Sequence, residues 1–213
     1  MKIKTILAGA LACAATVVLA QAEPATQSPW YFGLSAGTST SNSPNSDAAV
    51  TGATTNSYTK NNTSTGYKVS VGKQFNQNFA VEFGYVDLGK FDVKNTVNGG
   101  TGTATSTSKH AGVTAMAVGI APVSERLSFM GKIGVMASSS NSEIAPTGSV
   151  TVSGARTATV SEGNLAYGLG VQYDFGKNYS MRVEYDVYAG LRAAANWDRR
   201  DVNLLSLGLI VKF

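Results

Sequence analysis

The sequence predicts an all-β fold, an eight-stranded antiparallel up-and-down transmembrane β-barrel, on three observations. Runs of alternating apolar and polar residues recur along the chain, each long enough to cross a bilayer as a tilted strand. The connections between them alternate between very short and very long, as in barrels with tight turns at one end and long loops at the other. Mean hydropathy is close to zero, although 43% of the 213 residues are hydrophobic. Strands whose two faces average away give that balance, and a bundle of membrane helices does not.

The first element is a targeting segment. Lys2 and Lys4 precede an apolar run over residues 6–20, and Ala20-Gln21-Ala22 supplies a small-x-small cleavage site. The run is too short and wrongly flanked for a spanning helix. The expected organisation is a cleaved signal peptide at 1–22, a short N-terminal lead at 23–29 and a β-barrel domain at 30–213. Cys13 lies inside the signal, where cleavage after Ala22 is favoured over a lipoprotein cut, so the mature chain is expected to hold no thiol. Removing the signal also takes away two lysines and leaves 15 basic against 13 acidic residues. No nucleic-acid footprint remains.

The strands follow in order. Residues 30–38 (WYFGLSAGT) alternate Trp30, Phe32, Leu34 and Ala36 against smaller or polar neighbours, and 39–64 then reads as a polar loop. Residues 66–75 (GYKVSVGKQF) and 79–89 (FAVEFGYVDLG) make a hairpin across Asn76-Gln77-Asn78. After a second polar tract at 90–108, residues 110–121 and 126–138 make another hairpin around the turn 122–125. A third tract covers 139–163. Residues 164–175 (NLAYGLGVQYDF) and 179–188 (YSMRVEYDVY) pair across Gly176-Lys177-Asn178, and a last loop at 189–201 leads to the closing strand.

That closing strand, VNLLSLGLIVKF, places Leu205, Leu207, Leu209, Val211 and Phe213 on one face. Phe75, Phe79, Phe175, Tyr179 and Phe213, with Trp30 close by, collect at the turn end as an interfacial aromatic girdle. The spacing Ser206-x-Gly208-x-x-Val211-x-Phe213 resembles the C-terminal signal by which bacterial outer-membrane barrels are recognised by their assembly machinery. Both mature termini are expected on the periplasmic side. A secreted soluble barrel would need its greasy face inside, where the candidate residues are small or charged.

The informative charges stand in mid-strand. Period two sends Glu82, Lys132, Arg182 and Glu184 to the face opposite the grease, the lumen. A basic residue facing lipid at mid-membrane would cost about 2–4 kcal/mol, which favours the same assignment. Lys68, Lys212, Asp174 and Asp186 share that parity nearer the ends. Eight strands leave an interior that side chains can fill, so a structural ion-pair core is favoured over a conducting gate.

Taken together, residues 66–91, 110–134, 164–186 and 204–213 resemble the OmpA-like transmembrane domain of Gram-negative outer membranes, across all the strands in order. The resemblance implies a membrane barrel and leaves the activity open, because one fold hosts many functions. In that family a glutamate and an arginine form a central pair, which fits Glu82 and Arg182. The lysine and glutamate that exchange partners with such a pair would fall at Val118 and Gln172, so a switching gate is not implied. Because the chain stops at Phe213, a periplasmic wall-binding domain is not implied either.

No enzyme is expected. His110 is the only histidine, placed where a loop meets a strand and read as a solvated rim residue, and no metal or cofactor motif is present. Tyr58, Lys60, Arg192, Trp197, Arg199 and Arg200 could contact lipopolysaccharide phosphates or a host surface. Alternatively Trp197 is an interface anchor and the arginines are solvated. The expected role is a structural, surface-exposed integral barrel of the outer membrane. The rivals are a small-solute pore with Glu82 and Arg182 at its constriction, and an adhesin or ligand-binding barrel acting through long loops. Expected partners are outer-membrane lipids and lipopolysaccharide, periplasmic chaperones and the barrel assembly machinery, and a host or small-solute ligand.

Overall fold

The computed structural model describes residues 30–42, 56–97, 102–148, 157–192 and 199–213. They form nine strands: β1 (Trp30–Ser41), β2 (Asn56–Asn61), β3 (Thr63–Asn76), β4 (Phe79–Val97), β5 (Gly102–Pro122), β6 (Leu127–Gly148), β7 (Thr157–Asp174), β8 (Tyr179–Arg192) and β9 (Arg199–Lys212). The expected signal peptide and N-terminal lead lie outside the described residues.

All pairings are antiparallel. The sheet runs β4-β3-β1-β9-β8-β7-β6-β5 and closes through a β4–β5 pairing, with β2 added beside β4. The seam between the ends of the chain pairs β1 with β9 from Tyr31↔Lys212 to Ser41↔Val202. Closure removes the exposed sheet edges that a bilayer does not tolerate.

The expectation of eight strands is corrected to nine. The polar tract read as one loop contains β2, which pairs with β4 from Asn56↔Val97 to Asn61↔Asp92. Only Asn62 separates β2 from β3. There the Ser41 amide donates to the Asn62 carbonyl at 2.9 Å, and the Ser39 hydroxyl donates to the Leu88 carbonyl at 2.6 Å. Opposite the break, β4 bulges between Asp87 and Lys90, with Gly89 at φ 80°. That left-handed backbone suits glycine alone at little cost.

The tracts read as the second and third loops are also largely strand. β4 and β5 stay paired out to Val97↔Gly102, and β5 and β6 out to Gly102↔Gly148. β5 and β6 are 21 and 22 residues long, about twice what a tilted crossing requires.

Burial alternates with period two. Leu169 is 71% exposed and Phe83 62%, whereas Glu82 and Arg182 are 4% and 3% exposed. Apolar residues outside and charges inside are the reverse of a water-soluble barrel. The outward apolar band stops at one level, passing from Tyr67 to Thr65 on β3, from Tyr85 to Asp87 on β4 and from Leu205 to Asn203 on β9. Beyond it the strands carry Thr, Ser, Asn and Lys outward. Short turns gather at the opposite end, where the Phe213 amide donates to the Trp30 carbonyl at 2.8 Å.

Candidate functional site

The lumen is where the chain concentrates charge. β4 aims Glu82 inward, β6 Lys132, β8 Arg182, Glu184 and Asp186, and β3 Lys68, each flanked by outward apolar residues. Arg182 Nη1 donates to Glu82 Oε1 at 2.5 Å and Lys132 Nζ to Glu82 Oε2 at 2.6 Å. Lys132 also pairs with Glu184, and Arg182 Nη1 lies 3.6 Å from the same carboxylate. Lys68 Nζ bridges Glu184 and Asp186 at 2.5 Å each. Three cations and three carboxylates thus interlock across the barrel with no surplus charge.

Neutral groups complete the cluster. The Tyr31 hydroxyl donates to Glu82 Oε1 at 2.8 Å, and its ring lies 5.5 Å from the Arg182 guanidinium carbon. Gly72 permits this reach, because a Cβ there would meet the Tyr31 ring at 2.1 Å. Arg182 Nη2 and Nε both donate to Gln172 Oε1, at 2.9 and 3.2 Å. Apolar clusters close the interior on either side. Val86, Leu88, Met116, Met136, Tyr188 and Leu204 pack toward the long-strand end, and Ala80, Val118, Met130 and Ile210 toward the turns.

Sequence parity brings Glu82, Lys132, Arg182 and Glu184 into one cluster and leaves out Tyr31, Gln172 and the apolar packing. The signal for Tyr31 and Leu88 was the same parity: Tyr31 alternates with the outward Trp30 and Phe32, and Leu88 is in phase with Glu82. Lys212 stands apart at the turn end, with Nζ 3.0 Å from Asp174 Oδ1.

The loop candidates scatter. Arg192 Nε lies 2.7 Å from Glu162 Oε1, Arg200 is buried at 3% exposure, and Arg199 is exposed. Arg200 therefore is not a surface contact, and Arg192 is tied to a neighbouring strand. Trp197 lies outside the described residues. On β9, Ser206 and Gly208 face inward, while Val211 and Phe213 face out.

His110 is fully buried rather than solvated, because β5 continues through it and its parity is inward. Its Nδ1 is 2.7 Å from the Ser140 hydroxyl, and its ring centroid is 6.0 Å from that of Phe91. It stands beyond the apolar band, beside the outward Lys109. Burial first, and the Arg200 charge second, push its pKa down to about 4. Among the described residues no group of three His, Cys, Asp or Glu could hold a metal ion.

The profile of the OmpA-like transmembrane domain matches residues 25–213. No curated protein matches the sequence. Among solved structures, the chain is similar to Neisserial surface protein A (NspA), at 14% identity and a TM-score of 0.54, over 86% of this chain and 97% of that one. It is also similar to Ail, the attachment invasion locus protein of Yersinia pestis, solved with the heparin analogue sucrose octasulfate. That match has 16% identity and a TM-score of 0.50, over 88% of this chain and all of the other. At such identities the likeness speaks for the fold.

Proposed function

Because this chain belongs to the OmpA-like transmembrane domain family, we propose that it is an outer-membrane barrel that acts through its ordered external sheet, as an adhesin or ligand-binding protein. The observation that carries this reading is the length of β5 and β6, 21 and 22 residues. About half of each stands beyond the apolar band, which at about 3.4 Å per residue extends paired sheet roughly 30 Å along the tilted strands beyond the membrane level. Paired strands present side chains in fixed register, which a mobile loop does not.

The lumen argues against a pore. Among the described residues, an interlocked set of buried ion pairs spans the lumen with apolar clusters above and below it, which opposes the passage of water and ions, and breaking it is costly. The barrel carries no catalytic role in this reading. The short turns and both mature termini face the periplasm, after cleavage at Ala22. Ser206, Gly208, Val211 and Phe213 are read by chaperones and the assembly machinery on the way in, and lipids surround the finished barrel.

Two measurements on one preparation test the proposal. The refolded mature protein is expected to be silent in planar-bilayer conductance while binding a sulfated glycan such as sucrose octasulfate, the probe suggested by the Ail complex. A trimmed variant, with residues 93–106 and 143–157 each replaced by Asn-Gly, joins the register partners Asp92 with Thr107 and Ser142 with Ala158. It is expected to fold, by heat-modifiable gel mobility, and to lose binding at least tenfold. Reproducible channels in the wild type would overturn the closed lumen. Unchanged glycan and host-cell binding after trimming would overturn the external site.

A further inference from the structure

Two lysines lie face to face at the upper edge of the apolar band. Lys90 on β4 is the register partner of Lys109 on β5, and both are exposed. Their neighbours Phe91 and His110 are buried, so both ammonium groups project from the outer wall. Among the described ion pairs neither lysine takes part in one. Like charges directly opposed across an antiparallel pair are destabilising, because the Cβ atoms sit only about 5 Å apart. An anion held between the two removes that repulsion.

The surroundings form a groove rather than a flat wall. A depression of about 460 Å³ runs across β3 to β6 and is lined by Tyr67, Tyr85, Lys90, Lys109, Ala111 and Asn141 among others. Ala111, with a single methyl, and Gly112, with no side chain, are part of its lining and leave room there. Asp87 also borders it, with Oδ1 accepting the Gly89 amide at 2.7 Å. The Gly89 bulge matters here, since it restores outward parity to Lys90 after Leu88 has turned into the core. Below the lysines the wall is apolar and tyrosine-bearing, and above them it is Thr and Asn.

We propose that Lys90 and Lys109 form a binding site for a phosphate of a phosphorylated outer-leaflet glycolipid, whose acyl chains run down past Tyr67 and Tyr85. The level of the site selects this ligand: cationic groups sit at headgroup depth, with an apolar path directly beneath and a polar one above. A soluble anion has no use for the apolar half of the groove. The site is independent of the external ligand-binding reading, and needs only that the barrel spans the outer membrane with its long strands outward.

The test compares full-length mature protein with Lys90→Gln/Lys109→Gln and, as a control, Lys177→Gln in a short turn at the far end. All three are refolded in detergent and checked by heat-modifiable mobility. Binding of bis-phosphorylated lipid A and of its fully dephosphorylated form is measured by native mass spectrometry, with inorganic phosphate as competitor. Lysines near a membrane surface each contribute about 1 kcal/mol toward an anionic lipid. The double variant is therefore expected to bind phosphorylated lipid A about tenfold to thirtyfold more weakly. The control should match wild type, and dephosphorylated lipid should bind wild type and double variant alike. Equal binding of phosphorylated lipid by wild type and double variant overturns the proposal. Full displacement of the lipid by millimolar inorganic phosphate overturns it too, by assigning the site to a free anion.

Discussion

Glu82 accepts from three donors at once, the Tyr31 hydroxyl and the Lys132 and Arg182 cations. Burial makes each of those bonds matter, because a cation left in a dry lumen without its carboxylate cannot recover its hydration. Glu82→Gln keeps the shape and removes the charge, leaving three lumen cations against two carboxylates. The expected cost is about 3–5 kcal/mol in urea unfolding of the refolded barrel. Adding Lys132→Met restores neutrality, so the double variant is expected to be more stable than Glu82→Gln alone. Simple additivity of the two substitutions would mean that the charges are not coupled. These positions were legible in the sequence for one reason: lipid outside forces apolar residues onto every second position, so a charge out of phase with them has to face inward.

At the scale of the strands that contrast fades where the lipid ends. On β5, Thr103, Thr105 and Thr107 alternate with the buried Ala104, Ser106 and Ser108, and no difference in hydrophobicity separates the two faces. The extensions of β4 to β7, and all of β2, were illegible as strands for that reason, with only the β-propensity of threonine as a trace. The buried position of His110 was within reach, since the parity of Val113 and Ala115 carried back along β5 turns it inward. Its burial makes the extension sensitive to acid. The folded pKa, pushed down to about 4 from an ordinary 6.5, means that the unfolded extension binds a proton which the folded one refuses. Stability from this residue is complete above about pH 6.5 and is lost as the pH falls toward 4, by up to about 3 kcal/mol. The hydrogen-exchange protection factors of β5 and β6 residues beyond the band, taken against the intrinsic rate at each pH, are expected to fall as the pH drops across that window, while those of the membrane-level strands stay unchanged. His110→Gln should flatten the dependence, and an unchanged pH profile in that variant would remove His110 as its source.

For the whole molecule, closure and delivery to the membrane make separate demands on the same strand. β9 closes the barrel through its pairing with β1, and there the inward Gly208 is closely packed: a Cβ would push on the Ser35 hydroxyl and meet the Leu34 carbonyl oxygen at 3.0 Å. Phe213 contributes little to that packing, being 71% exposed, and the bond it makes to Trp30 comes from its backbone amide. A ring that the fold barely uses, at the end of the strand that resembles an assembly signal, is better explained by recognition before folding. The two roles separate experimentally. Gly208→Ala is expected to destabilise the refolded barrel by about 1–3 kcal/mol through overpacking. Phe213→Ala should unfold within about 0.5 kcal/mol of wild type in vitro, yet yield several-fold less inserted barrel in cells. Wild-type insertion of Phe213→Ala would remove the ring from the signal. Equal destabilisation of the two variants in vitro would assign the ring to closure instead, because a recognition element is needed only until the seam has formed.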